Sequence, residues 1–227
     1  MAPVGIANPS RHFHGELEQL RLQVELMGLR VDENLARMGQ VLRTGDVSLI
    51  APALVADDEI DAMNVSLTER CYQLLTLESP VATDLRFIVS VLRITGELER
   101  VGDLSLRVTK LAEEVPLLRS AGSIWESLLN LVAGAVEQYR TALAAWSAQD
   151  LAGATALATR QHTLEHHYEQ LVHDLRQYDG PEAARLAMGI MAAGRAADRI
   201  ADHAAIIGAR LRYLITGEPR HLAAEVR

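Results

Sequence analysis

The chain has 227 residues, 49% of them hydrophobic and only 4% aromatic, with a formal charge of -8 and one cysteine, Cys71. That length and hydrophobicity support a buried core and exclude wholesale disorder, while the acidic balance excludes a nucleic-acid binder of the uniformly basic kind. One cysteine excludes an internal disulfide, and the apolar runs, such as 186–194, fall far short of the roughly 20 residues that cross a bilayer. The first ten residues, MAPVGIANPS, lack the charged start and apolar stretch of a signal peptide, so a soluble, cytoplasmic protein without direct membrane insertion is expected. Abundant Ala, Leu, Arg and Glu favour helix over sheet.

Taken in chain order, Leu17, Leu20, Val24, Met27, Val31, Leu35 and Met38 recur every three or four residues. That spacing predicts a helix of about seven turns, ended near Thr44-Gly45. Asp46 is the N-cap of a second helix running to about Leu77, and Ser79-Pro80 opens a third with proline in its first turn. Val81, Leu85, Ile88, Leu92, Leu98, Val101 and Val108 carry the buried stripe of that third helix to about Glu114. A break covers 116–123. A fourth helix is predicted over 124–147, and Asp150 starts a fifth that ends near Asp179-Gly180. Pro181 opens a sixth, which ends at Thr216-Gly217-Glu218-Pro219.

The second three helices repeat the first three. Asp46 aligns with Asp150 and DDEID (57–61) with QHTLE (161–165), both at an offset of 104; ERVGD (99–103) aligns with DRIAD (198–202) at 99. The difference is absorbed where the second helix turns into the third. The expectation is an all-α fold of two tandem three-helix bundles with long antiparallel helices, the first over 10–115 and the second over 120–218.

Acids four apart share one helix face, about 6 Å apart at Cβ, and can chelate a cation. Four such pairs occur: Asp57/Asp61, Glu99/Asp103, Glu165/Glu169 and Asp198/Asp202. Thirty acids in this length give about four by chance, so the number is uninformative and the placement carries the argument. Glu99/Asp103 and Asp198/Asp202 occupy the same repeat position in otherwise apolar sequence. Asp57/Asp61 lies on the helix expected to run antiparallel beside Glu99/Asp103. Four carboxylates from two adjacent helices suit magnesium, manganese or iron. The competing reading is that Arg100, Arg107 and Arg199 pair with these acids on a solvated face.

His162, His166, His167 and His173 crowd the fifth helix, and His162/His166 has the spacing that chelates zinc or iron, or else forms an exposed polar face. Arg86, Arg93, Arg100 and Arg107 recur every seven residues, as a solvated face or as a docking strip for an acidic partner or an oxyanion. Signatures of catalysis are missing: no Gly-rich phosphate loop, no G-x-S-x-G elbow, and no Glu-x-x-His within a predicted helix. Cys71 reads as a small buried hydrophobe. No enzymatic activity is expected.

SPVATDLRFIVSVLRITGELERVGD (79–103), DRIADHA (198–204) and YLITGEPRH (213–221) together resemble the PhoU family of bacterial phosphate-uptake regulators, over about His12 to His221. The resemblance implies a cytoplasmic negative regulator of phosphate uptake and phosphate-starvation signalling. Its implied partners are the ATPase subunit of the phosphate ABC transporter and a membrane sensor histidine kinase, with a homodimer also expected. It further implies metal clusters held by two E/D-x-x-x-D motifs per repeat, with iron, zinc, manganese or magnesium as the ion. Carried over residue by residue, the ligands would be Asp57, Asp61, Glu99 and Asp103 in the first repeat, and Glu165, Asp198 and Asp202 in the second. In the second repeat Gln161 stands where the first motif acid belongs, and a neutral amide supplies no anionic ligand unless His162 or His166 compensates. The first site is therefore expected to bind metal more tightly. The alternative to the signalling adaptor is a metal- or metal–phosphate-binding storage protein.

Overall fold

The computed structural model describes residues 9–226, with side chains from 12 to 223; all but the last two residues of the opening segment read above for leader character lie outside the described residues. The first helix, α1 (Pro9–Thr44), buries its predicted stripe completely or nearly so, from Leu17 through Met38. Gly45 ends it with φ at 72°, a left-handed conformation that glycine enters without a Cβ penalty. Asp46 then takes extended backbone, and its Oδ1 accepts from Ser48 N at 2.9 Å. It caps a short 3₁₀ turn, Val47–Leu49, which feeds α2 (Ile50–Glu78). Its repeat counterpart Asp150, also extended, accepts from Ala152 N at 2.9 Å and caps α6 (Leu151–Arg176) directly. The same cap at matched positions supports the repeat drawn from the sequence.

Two proline readings need correction. The third helix, α3 (Ala82–Thr109), starts after Pro80 rather than at it, because Ser79 is left-handed and Val81 extended. Likewise α7 (Ala183–Thr216) starts beyond Pro181, after a left-handed Glu182. Each proline stands in the connection, where a missing N–H costs no helical bond. The predicted break over 116–123 also holds more structure than expected. A 3₁₀ turn at Ala112–Glu114 leads into α4 (Val115–Arg119), a single turn with Pro116 at its start, pinned by buried Val115 and Leu118. Seven α-helices rather than six thus cover the described residues, with α5 (Ser123–Ala148) following α4. A 3₁₀ segment, Pro219–Val226, follows α7. No strand occurs among the described residues, and no helix there is long and apolar enough to cross a membrane.

Helices α1, α2 and α3 pack on one another, as do α5, α6 and α7. The two triplets are also joined: α3 lies against α7 about as extensively as against its own partners, and α1 touches α5. One hydrophobic cluster consequently runs from Phe13 to Leu214. Phe87 on α3 stacks on Trp146 of α5, with centroids 6.1 Å apart. Tyr139 Oη donates to Gly28 O at 2.7 Å, and Arg140 Nε to Asp32 Oδ1 at 2.7 Å, tying α5 to α1. At Gly28 the helices come so close that a Cβ would run into Leu143.

Candidate functional site

In the first half, α2 and α3 run side by side and bring their acids to one seam. Gly102 makes the approach close: a Cβ there would meet Ile60 Cδ1 at 3.3 Å and Asp57 Oδ1 at 3.5 Å. Ala201 stands at the matched position of the second half, so a methyl is accommodated on that side. Burial is the first cause that raises the Asp57 carboxyl, to about 6, and the negative charges of Asp103 and Asp61 raise it further. The same causes, burial first and Asp103 next, push Asp61 and Glu99 up from the ordinary carboxylate range. Lys110, the chain's one lysine, acts against the shift at Asp57. Asp57 and Glu99 are therefore each within electrostatic reach of both Asp61 and Asp103.

Convergence is not yet coordination. Among the described residues no three His, Cys, Asp or Glu side chains form a group that could hold a metal ion as it stands. The chemistry of the set nevertheless fits a hard cation. Anionic oxygens partly withdrawn from water repel one another, and a divalent ion between them would relieve both the repulsion and the raised pKa values.

The second half is arranged differently. Burial and then Asp202 raise the Asp198 carboxyl, and Glu165 adds to this, while Arg195 and Arg199 oppose it. Arg195 Nη1 donates to Asp198 Oδ2 at 2.8 Å, and Arg199 lies 3.4 Å from Asp202. Gln161 Nε2 donates to Asp202 Oδ1 at 2.5 Å. Where the first seam sets carboxylate against carboxylate, the second answers its acids with an amide and two guanidinium groups. His162 and His166 stay on the exposed face, each beside a glutamate of its own helix: His162 is 3.6 Å from Glu165 and His166 3.8 Å from Glu169.

The ion-pair alternative holds in part. Arg107 pairs with Asp103 at 3.8 Å and Arg199 with Asp202, but Arg100 turns to Glu97 at 2.7 Å rather than to Glu99. Glu97 is a functional-site neighbour the sequence did not single out. With its side chain 8% exposed, it meets His203 Nδ1 at 2.6 Å, itself 4% exposed, across the α3–α7 boundary. No local spacing announces a contact between residues 106 apart. Cys71 is buried, and burial pushes its thiol up to about 12, consistent with its reading as a core residue.

The described residues define a helical-bundle protein with a repeated pair of acids on the last long helix of each half. Residues 24–112 match the PhoU domain. The chain is 27% identical to the phosphate-specific transport system accessory protein PhoU homolog of Pseudomonas aeruginosa, over 94% of this chain and 89% of that protein. It is 26% identical to the PhoU protein of Escherichia coli, over 95% and 90%. The crystal structure of PhoU from Pseudomonas aeruginosa superposes with a TM-score of 0.86 at 27% identity, covering 91% of this chain and all of that one. That of the phosphate transport system regulatory protein PhoU from Streptococcus pneumoniae gives 0.81 at 24% identity, a likeness of fold. Over most of its length the chain is therefore similar to PhoU proteins.

Proposed function

We propose that this protein is an accessory regulator of phosphate-specific transport. In this reading it links the transporter's ATPase subunit to a sensor histidine kinase and restrains phosphate-starvation signalling when phosphate is plentiful. The observation that carries the reading is similarity over more than nine-tenths of the chain to proteins named as phosphate-transport accessory proteins. Metal is part of the proposal: Asp57, Asp61, Glu99 and Asp103 would hold a divalent or transition ion. Such an ion would supply positive charge that locks α2 to α3. Glu165, Asp198 and Asp202 would form a weaker second site, because Gln161 and the two arginines already answer those carboxylates.

Two experiments test this. Deletion should derepress a phosphate-regulated alkaline phosphatase reporter under phosphate excess; a reporter that stays silent in the deletion strain rejects the regulatory role. Metal content of purified Asp103→Ala and Asp202→Ala variants tests the asymmetry. The first substitution should remove most of the bound metal and the second a minor share, whereas equal losses from both contradict the ranking of the two sites.

A further inference from the structure

Between α3 and α7 lies a cleft of about 500 Å³, within the range of small-molecule sites. Arg100 and Arg107 line it from α3, Arg195 and Arg199 from α7. Asp103 is the single acid in its lining, and His203 stands there as well. Four arginines thus meet one aspartate in the lining, while Glu97, Asp198 and Asp202 pair with three of those arginines from beside it.

The four arginines, 42 to 72% exposed, each lie beside an acid. Arg100 contacts Glu97, Arg107 contacts Asp103, Arg195 contacts Asp198, and Arg199 contacts Asp202, each on its own helix. Each of these contacts engages one nitrogen of a guanidinium that carries five N–H donors. Three of the four acids, Glu97, Asp198 and Asp202, do not line the cleft, so they orient the cations without filling the space between them. Leu104 and Ala196 add apolar surface beside the charged rim. Planar guanidinium forks match tetrahedral oxyanions better than ammonium groups do, since two parallel N–H bonds reach two oxygens at once.

We propose that this cleft binds the phosphoryl group of a small molecule, either free inorganic phosphate or the phosphates of a nucleotide. The site belongs to neither half alone, because each half supplies two of its four arginines. Binding there fastens α3 to α7 and reports ligand level as the rigidity of that boundary. The inference does not depend on metal at the carboxylate seam, and its test is run without metal.

Calorimetric titration of the full-length protein in EDTA, at constant ionic strength, uses sodium phosphate in one arm and ADP in the other. Saturable binding is expected in at least one arm. Phosphate alone identifies the free ion as ligand, and tighter binding of ADP identifies a nucleotide. Arg100→Ala/Arg107→Ala and Arg195→Ala/Arg199→Ala should each weaken binding by about tenfold or more. Arg43→Ala/Arg160→Ala removes the same charge outside the cleft and should leave it unchanged. Asp103→Asn, which removes the one acid of the lining, should tighten it. Circular dichroism checks each variant's fold; where one arginine pair fails to fold, the other pair and Asp103→Asn still decide. Absence of saturable binding at millimolar ligand, or equal weakening by the control pair, overturns the proposal.

Discussion

Asp57 depends on its surroundings more than any other carboxylate at the α2–α3 seam. Its folded pKa of about 6 stands above the ordinary 3.8, chiefly through burial and then through Asp103 and Asp61. Protonation therefore favours the folded state. The contribution is fully present below the unfolded pKa of 3.8 and is lost as pH rises through about 6. In EDTA the melting temperature should fall between pH 5 and pH 7.5, and Asp57→Asn should flatten part of that slope. Asp61 and Glu99, raised in the same direction, retain the remainder. At pH 7.5 the variant should be more stable than the parent by about 1 kcal/mol, after allowing for the solvent that reaches a half-buried side chain. Thermal melts across pH decide this; a variant less stable than the parent at pH 7.5 would falsify the account of a mutually repulsive carboxylate cluster. The same argument explains why the second seam resists sequence reading. That Gln161 replaces an acid is plain in the sequence, but that its amide donates to Asp202 is a fact of packing.

At the scale of elements, the helices were legible because burial follows the 3.6-residue period, and α1 buries the stripe its sequence displays. The caps were legible for a similarly local reason, an Asp with extended backbone accepting from the N–H two residues on, although Asp46 caps the 3₁₀ turn before α2 rather than α2 itself. Asp150→Ala should cost about 1 kcal/mol in urea unfolding, the usual worth of a side-chain N-cap. What escaped was decided by contacts distant in sequence. Pro80 and Pro181 were read as first-turn residues, a local preference, but the turn geometry at Ser79 and Glu182 delays each helix start beyond them. The single turn α4 forms because Val115 and Leu118 find buried places, which no periodicity over so few residues reveals. The Glu97–His203 pair joins two helices that sequence analysis assigned to different halves. Glu97→Ala should destabilise by roughly 3 kcal/mol, since it leaves a buried imidazole without its partner. The double substitution with His203→Ala should cost distinctly less than the sum of the singles, and additivity would show that the pair is not coupled.

At the scale of the whole molecule, the tandem repeat is a statement about sequence, whereas stability is shared across both halves. The α3–α7 contact, the Phe87–Trp146 stack and the Tyr139 bond to Gly28 continue one core through the boundary. A boundary packed like the interior leaves neither half a free energy of its own, so unfolding should be a single transition. Leu67 offers a clean probe: it is 3% exposed on α2, a helix that packs on α1 and α3 within the first half. Both tryptophans, Trp125 and Trp146, lie on α5 in the second half. Leu67→Ala should cost 2 to 5 kcal/mol, about the usual range for a buried leucine. If the halves unfold together, the urea midpoint followed by tryptophan fluorescence shifts by the same amount as the midpoint followed by helical circular dichroism. If they unfold separately, fluorescence keeps the parent midpoint while circular dichroism splits into two steps. Coincident midpoints would mean that a ligand or ion held by either half stabilises both, which is what the proposed adaptor role requires if a signal is to pass from one end to the other.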